Sequence, residues 1–178
     1  LPTDHEIVKS MEKINDLFSG SDIIIVAVES DSIFSESILK DLSSFQDSLE
    51  SIDVIGKVVS IFSQRQIIPD DGGFEIEPLL IEIPEDSSGQ AELKLKIKNA
   101  GILGDLVSFD YNKICFIGQI TSSFDYDEFQ FRKNIFRMVN RFNSSANFYV
   151  SSLPITRATT IENMQRDMRL YTPIPLGL

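Results

Sequence analysis

The chain has 178 residues, of which 42% are apolar and 24% charged, a composition that supports a packed core and is unlike that of disordered proteins. Its net charge of −11 repels phosphate groups and argues against nucleic-acid binding. The longest apolar run, Ile23 to Val28, is far shorter than the roughly 20 residues that span a bilayer. No segment of the sequence is therefore predicted to cross a membrane.

The first third of the chain predicts a helix followed by a β-α-β unit. Thr3 or Asp4 caps a helix that runs to about Phe18. A short apolar strand over residues 22–29 has the composition of a strand buried on both faces. Ser35 is expected to cap a second helix, which runs to about Ile52 and is followed by a strand over residues 54–62.

Residues 64–103 are less regular and are predicted to form an insertion, a small lobe with a flexible tip. Residues 69–73 (PDDGG) have the composition of a turn. A second loop over residues 86–89 precedes a short helix near residues 90–98.

A second β-α-β unit follows the insertion. Residues 106–109 and 113–120 predict a hairpin, and the strongly apolar second arm should be central in a sheet. Residues 125–142 predict an amphipathic helix, and residues 146–153 a last strand. The side chains expected to face inward on this helix are Phe129, Ile135, Phe136, Val139 and Phe142.

The order strand, helix, strand, strand, helix, strand is that of a ferredoxin-like fold. The predicted class is α+β, with a four-stranded antiparallel sheet and two helices on one face. Residues 1–178 are treated as a single domain, whose core comprises about 20–63 and 104–153.

The C-terminal segment becomes steadily more apolar. Residues 159–171 predict a helix with Ile161, Met164, Met168 and Tyr171 on one stripe, followed by a segment rich in proline. Either this tail folds back onto the core, or it leads into a transmembrane helix. In the second case Arg166 and Arg169 lie among lipid headgroups, and Pro173 is the first residue of the membrane helix. The helices over about 4–18 and 159–172 would then point toward one membrane surface.

Nothing in the sequence marks a catalytic or metal centre. His5, the only histidine, lies at the start of a terminal helix, a poor place to hold catalytic geometry. Cys115 is expected to be a buried, inert thiol. The acidic group Asp70, Asp71, Glu75 and Glu77 suits either a calcium loop or, as we favour, a solvated turn. No cofactor is predicted, and no pair of carboxylates stands out for glycosidase chemistry.

Two aromatic residues just before the second core helix are candidates for a binding surface. Phe124 and Tyr126 lie near the start of that helix, where they either pack into the core or line a groove for an apolar cargo. Full burial of both side chains would exclude the groove. The basic residues of the last third either form solvated helix faces or lie near anionic lipid headgroups; they are Arg132, Lys133, Arg137, Arg141, Arg157, Arg166 and Arg169.

Four stretches resemble the loop between the first two transmembrane helices of exporters of the resistance-nodulation-division (RND) superfamily, and the MmpL-like and hopanoid-exporter branch in particular. They are residues 18–35 (FSGSD, the strand after it and the following turn), 52–60 (IDVIGKVVS), 106–110 (LVSFD) and 153–173, which holds LPI, Asp167 and YTP. Their order and spacing carry the resemblance from about residue 11 to 178. Leu153 departs from the glycine that the family often has at this position. Residues 64–99 resemble none of the four stretches of the family.

This resemblance implies an extracytoplasmic (periplasmic) porter domain of a proton-driven exporter in the inner or plasma membrane, exporting hydrophobic or amphiphilic, lipid-like molecules. It implies no catalytic residues, because the proton-carrying groups belong to the membrane helices. The implied partners are the parent's own transmembrane helices, its second porter loop, sister subunits and a lipid-like substrate. The ending from Asp167 to Pro173 favours the first of the two loops.

Two other functions remain open on the sequence. An extracytoplasmic ligand-binding or sensor domain of a membrane receptor would share the terminal helices but be flanked by signalling domains. A cytosolic ferredoxin-like enzyme or regulatory domain would not be followed by apolar sequence. The acidic surface and the single histidine weigh against the enzyme.

Overall fold

A computed structural model describes residues 22–70, 72–121, 126–142 and 146–171. The predicted helix at residues 4–18, with His5, lies outside these ranges, as do Phe124 and Pro173. The elements in chain order are β1 (Ile23–Glu29), α1 (Glu36–Glu50), β2 (Ile55–Val59), β3 (Arg65–Asp70), β4 (Gly73–Pro78), α2 (Ser87–Asn99), β5 (Lys113–Ile120), α3 (Glu128–Phe142), β6 (Asn147–Ser152) and α4 (Leu153–Tyr171).

The main sheet has four strands in the order β2-β5-β1-β6, and every neighbouring pair is antiparallel. In the centre of the sheet Val26 of β1 lies opposite Phe116 of β5 on one side and Val150 of β6 on the other. This order, with one helix after β1 and one after β5, confirms the predicted α+β fold with a ferredoxin-like core. The apolar strand β5 is central, as its composition indicates.

The core lies between one face of the sheet and the two helices α1 and α3. Alternate residues of β1 and β5 are fully buried on this face, because successive side chains of a strand point to opposite sides. Phe45 of α1 is completely buried and its ring lies 5.1–5.5 Å from the rings of Phe116, Phe142 and Phe148. These contacts, edge-on to Phe116 and Phe142 and tilted to Phe148, join α1 to β5, α3 and β6.

Gly118 of β5 allows the core to close on this face. A Cβ atom at this position would lie 2.9 Å from Cγ2 of Ile24 and 3.1 Å from Cγ2 of Ile55. Both distances are too short for an ordinary side chain, so the isoleucines of the two flanking strands occupy the space above the glycine.

The first core helix begins where the sequence predicts, but without the predicted side-chain cap. Ser35 has the extended backbone of an N-cap residue, yet its hydroxyl makes no capping hydrogen bond. The helix is instead held by its apolar stripe, which is buried against the sheet; the stripe consists of Ile38, Leu39, Leu42, Phe45 and Leu49.

The insertion is more regular than the sequence suggests. Residues 65–78, predicted to be irregular, form a separate two-stranded antiparallel sheet, β3–β4, in which Ile67 lies opposite Ile76. Two prolines make these strands hard to recognise in the sequence. Pro69 is the penultimate residue of β3 and Pro78 is the last residue of β4. A two-stranded sheet consists of edge strands, where the loss of an N–H group is tolerated. Phe74, Ile67 and Ile76 are all exposed on one face of this hairpin.

The predicted short helix of the insertion is present as α2 and starts three residues early. Asp86 caps it by accepting a hydrogen bond from the Gly89 amide at 2.8 Å. Leu93 and Ile97 bury this helix against the core, and the Lys94 ammonium lies 5.2 Å from the Phe34 ring centroid and 5.6 Å from that of Tyr111. The insertion is therefore anchored to the core through α2.

The predicted first arm of the second hairpin is not a strand. Residues 106–109 make only isolated bridges, in which Val107 pairs with Leu103 and with Ile114. Tyr111 occupies the left-handed backbone region with a φ of 56°, which turns the chain sharply before β5.

The predicted inward face of α3 is only partly right. Phe131, Ile135, Met138 and Val139 are buried, whereas Phe129 and Phe136 are 39% and 44% exposed. The aromatic residues at 129 and 136 form their own seven-residue repeat, which is a second apolar pattern on the outer side of the same helix. The core selects the pattern 131, 135, 138, 142, because it alone forms a continuous stripe.

The last helix starts six residues earlier than predicted. The strand β6 passes directly into α4 at Leu153, and Pro154 lies in the first turn, where its missing N–H group costs nothing. Pro154, Ile155 and Ala158 are buried. All side chains from residue 160 to 170 are exposed. Among the described residues, no helix combines the length and the apolar character that a membrane span requires.

The second face of the sheet bears a small polar network at one end. The carboxylate of Glu29 accepts hydrogen bonds from the Tyr149 hydroxyl at 2.8 Å and from the Lys113 ammonium, also at 2.8 Å. These contacts lower the pKa of Glu29, with Lys113 as the largest cause. The hydrogen bond from its hydroxyl to Glu29 raises the pKa of Tyr149.

Candidate functional site

A cleft of about 480 Å³ lies between the C-terminal end of α1 and the side of α3 that carries Asn134 and Arg137. Its first wall consists of the last turn of α1 and the loop that leads into β2, from Ser48 to Val54. Its second wall consists of Tyr126, Asp127 and one side of α3 from Gln130 to Arg141. The two walls are brought together by the packing of α1 and α3 on the same sheet.

The base of the cleft is apolar. Ile52 and Val54 contribute from the loop, and Phe131 and Met138 from α3. The Tyr126 ring packs edge-on against Phe131, with 5.5 Å between the ring centroids. An apolar base of this kind can take the hydrocarbon part of a ligand.

Tyr126 also contributes a polar group. Its ring is half-buried, and its hydroxyl is buried without a hydrogen-bond partner in the described part of the chain. Burial raises the pKa of Tyr126, and the nearby carboxylates of Asp22 and Glu128 raise it further. The hydroxyl therefore stays protonated at neutral pH.

The rim of the cleft carries charges of both signs. Arg137 donates to the Asn134 side-chain oxygen at 3.2 Å. Neither Arg137 nor Arg141 forms an ion pair within residues 22–70, 72–121, 126–142 and 146–171. Asp127 on the same rim accepts from the Phe129 amide at 2.8 Å and so caps α3, an interaction that occupies its carboxylate.

A cluster around Arg157 of α4 fixes the wall that carries Tyr126. Its guanidinium donates to Glu128 at 2.8 Å and 2.6 Å and to Asp22 at 3.0 Å. The bonds to Glu128 and then Asp22 raise the pKa of Arg157, so the guanidinium keeps its charge. Arg132 of α3 makes parallel contacts to α4, to Thr159 at 3.2 Å and to Glu162.

The distal part of α4 is a second candidate surface. Ile161, Met164, Met168 and Leu170 are 42–66% exposed. Arg166 lies beside Asp167 at 4.0 Å, and both side chains are exposed. Exposed apolar side chains spaced along a helix are typical of a surface that a partner covers.

Of the predicted groove residues, Tyr126 lines the cleft and is not fully buried, whereas Phe124 lies outside the described residues. Of the predicted membrane-proximal residues, Arg166 and Arg169 are exposed near the end of α4, and Tyr171 is its last residue. Pro173 also lies outside the described residues. The structure does not bring the groove residue and these distal residues into one site.

Sequence reasoning missed most of the cleft. Its two walls are about 75 residues apart in the sequence, so no local pattern joins them. The spacing of Arg137 and Arg141, one helical turn apart, is a local signal, but it fits a solvated helix face or a surface near lipid headgroups and does not point to a cleft.

The other candidate groups have ordinary surroundings. Glu75 is exposed on β4 and Asp71 lies outside the described residues. Within the described ranges no three His, Cys, Asp or Glu side chains lie close enough together to hold a metal ion. Cys115 is half-buried on the second face of the sheet, and burial raises the pKa of its thiol to about 11.

Comparison with known proteins gives no family assignment: no protein-family model matches the chain, and no curated protein matches its sequence.

Proposed function

We propose that this chain is the extracytoplasmic porter domain of an RND-type membrane exporter, which handles hydrophobic or amphiphilic molecules. The support from the sequence is the ordered set of motifs that resembles the first loop of such exporters. The observation that carries the proposal is the distal part of α4. Every side chain from residue 160 to 170 is exposed there, with apolar residues spaced along the helix.

The exposure of this segment calls for an explanation. A helical segment of ten or so residues whose apolar side chains stay exposed is marginally stable in water, because most helix stability in proteins comes from packing of an apolar face. A partner that covers Ile161 and Met164 supplies that packing. In the proposed exporter the partners are the parent's own membrane helices, its second porter loop and sister subunits.

The cleft between α1 and α3 fits the same function as a place for the cargo. Its volume lies within the roughly 300–1,000 Å³ of small-molecule sites, and its apolar base is bordered by polar groups. In the proposed exporter the cargo passes through this cleft, and motion of the membrane helices changes the cleft through α4.

Two measurements on the parent protein test this proposal. The first is the hydropathy of the parent sequence on both sides of these residues. Apolar stretches of roughly 20 residues on both sides, with about ten more elsewhere, support the exporter. Polar sequence on both sides would overturn it.

The second measurement is the side of the membrane on which the domain lies. In a Cys115→Ser background, Leu95→Cys places a thiol on the exposed side of α2, since Leu95 is 57% exposed. A membrane-impermeant maleimide should label this parent variant in intact cells. Labelling only after lysis would contradict the proposal. Leu93→Cys, on the buried side of the same helix, is the matched control and should react only after denaturation.

A second candidate is an extracytoplasmic ligand-binding or sensor domain of a membrane receptor. The cleft favours it as much as it favours the exporter, because a sensor also needs a place for a small molecule. The parent sequence separates the two: a signalling domain beyond one or two membrane helices identifies the sensor, and about ten further membrane helices identify the exporter.

A further inference from the structure

We infer that the cleft between α1 and α3 binds anionic amphiphiles, molecules with an apolar body and a phosphate or carboxylate head, and that Arg137 and Arg141 hold the head. This inference rests on the proposed function for its biological meaning, since it names the class of cargo. The binding itself is a property of this chain and can be measured without the parent protein.

The basic residues of α3 lie along one stripe beside the cleft. Lys133, Arg137 and Arg141 follow one another at intervals of four residues, which places them along one stripe of the helix, and all three are exposed. The only acidic residue of α3 is Glu128, which is bonded to Arg157. A chain with a net charge of −11 thus has a local cationic strip beside its cleft.

The contacts of Arg137 and Arg141 leave both guanidinium groups able to bind an anion. Within the described residues Arg137 donates to the neutral Asn134 oxygen, and the ion pairs there include neither Arg137 nor Arg141. Guanidinium groups bind phosphate and carboxylate in a two-pronged geometry, which makes them suited to such a head. By contrast, Arg132 and Arg157 on the neighbouring side are both engaged by carboxylates.

Charge is unevenly distributed between the two walls of the cleft. Two carboxylates also line it, those of Asp53 and Asp127. Asp127 caps α3, where the positive end of the helix dipole offsets its charge. Asp53 is exposed on the opposite wall, in the loop before β2. The α3 side of the rim is therefore the one that attracts an anion.

The apolar base of the cleft can take the hydrocarbon body of such a ligand. Ile52, Val54, Phe131 and Met138 form a continuous base next to the two arginines. A ligand that places an anionic head on Arg137 and Arg141 can therefore lay a hydrocarbon chain along this base toward Tyr126. Head and body together define an amphiphile, because a free phosphate uses only the rim and a neutral hydrocarbon only the base.

The test uses the 178-residue chain and three probes with the same dodecyl chain, each below its micelle concentration: dodecyl phosphate, dodecyl maltoside and dodecyltrimethylammonium. Inorganic phosphate alone is the fourth probe. Binding is measured by isothermal titration calorimetry, and its place by NMR shifts of the Tyr126 ring. We expect dodecyl phosphate to bind roughly ten-fold more tightly than dodecyl maltoside, the size of effect that two partly exposed charge pairs give.

The decisive variant is Arg137→Gln/Arg141→Gln, which should remove this preference while leaving dodecyl maltoside binding unchanged. Its matched control is Arg166→Gln/Arg169→Gln, which changes the net charge equally at an exposed site on α4 and should keep the preference. Both pairs are exposed, so both variants should fold, as far-UV circular dichroism can verify.

Each other outcome overturns the inference in a recognisable way. Equal binding of the three head groups refutes recognition of an anion. An equal loss of preference in the control variant attributes the effect to overall charge. Inorganic phosphate binding as tightly as dodecyl phosphate refutes the role of the apolar base. An absence of binding by every probe refutes the cleft as a ligand site, whereas the exporter proposal would still stand or fall on the membrane topology of the parent.

Discussion

Which side of α3 faces the core can be tested with two phenylalanines that are only two residues apart. Phe131 is 3% exposed and packs against Tyr126, whereas Phe129 is 39% exposed on the outer side of the same helix. Phe131→Ala removes a buried ring and leaves a cavity, which costs about 3–5 kcal/mol of unfolding free energy. Phe129→Ala removes a ring that is only partly buried and should cost about 1 kcal/mol.

Urea denaturation followed by far-UV circular dichroism measures both values, which suits a chain without tryptophan. For a chain of this size the difference of about 3 kcal/mol corresponds to roughly 6–12 °C in Tm. Met138→Ala and Phe136→Ala form a second pair of the same design, and Met138→Ala should be the more damaging. If Phe129→Ala destabilises the protein as much as Phe131→Ala, α3 does not pack with the phase described above.

Three further predictions concern the sheet. The pKa of the Glu29 carboxyl should lie below the ordinary value of 4.5, so its stabilising contacts persist at neutral pH and are lost as the pH falls through that lowered pKa. Lys113→Met should return the Glu29 pKa, measured by NMR, toward 4.5. Because a pKa of about 11 instead of 9.0 leaves about 100-fold less thiolate, Cys115 should react slowly with a disulfide reagent until urea unfolds the chain, and fast native reaction would contradict its burial. Gly118→Ala should cost about 1–3 kcal/mol through its contacts with the flanking strands, whereas Gly72→Ala, which meets nothing within 4 Å, should leave the urea midpoint almost unchanged.

The sequence predicts the central part of the fold well because buried strands leave a clear local signal. The runs IIIVAVE and KICFIGQI are short, apolar and rich in β-branched residues, and they form the two central strands β1 and β5. The helix α1 has one unambiguous apolar stripe. Once these elements and their order were assigned, the ferredoxin-like arrangement followed.

The errors have physical causes. On α3, two apolar patterns compete, and only tertiary packing decides between Phe129 and Phe131. The hairpin β3–β4 keeps Ile67 and Phe74 exposed, so its strands lack the alternation of a half-buried sheet. The start of α4 at Leu153 was missed because strand and helix meet there without a loop.

The candidate site was less predictable than the fold. Tyr126 was identified from its place before a helix, which is a local property. The opposite wall, from Ser48 to Val54, is a tight connection whose role depends on how α1 crosses α3, which no local pattern encodes. The cationic character of the rim depends in addition on which arginines are engaged by carboxylates, and Arg132 and Arg137 look alike in the sequence.

The cluster around Arg157 has a mechanical consequence. One guanidinium holds Asp22, just before β1, and Glu128, at the start of α3, while the neighbouring Ile155 and Ala158 are buried. Any displacement of the first turns of α4 must therefore carry the sheet and α3 with it, or break these bonds together. Arg132 of α3 also holds Glu162, so α4 is attached to α3 at two points, Arg157 and Glu162. The exposed residues 163–170 extend roughly 12 Å beyond Glu162, at about 1.5 Å per residue. A shift at the end of this segment is therefore transmitted through both ion pairs to α3 and the wall that carries Tyr126.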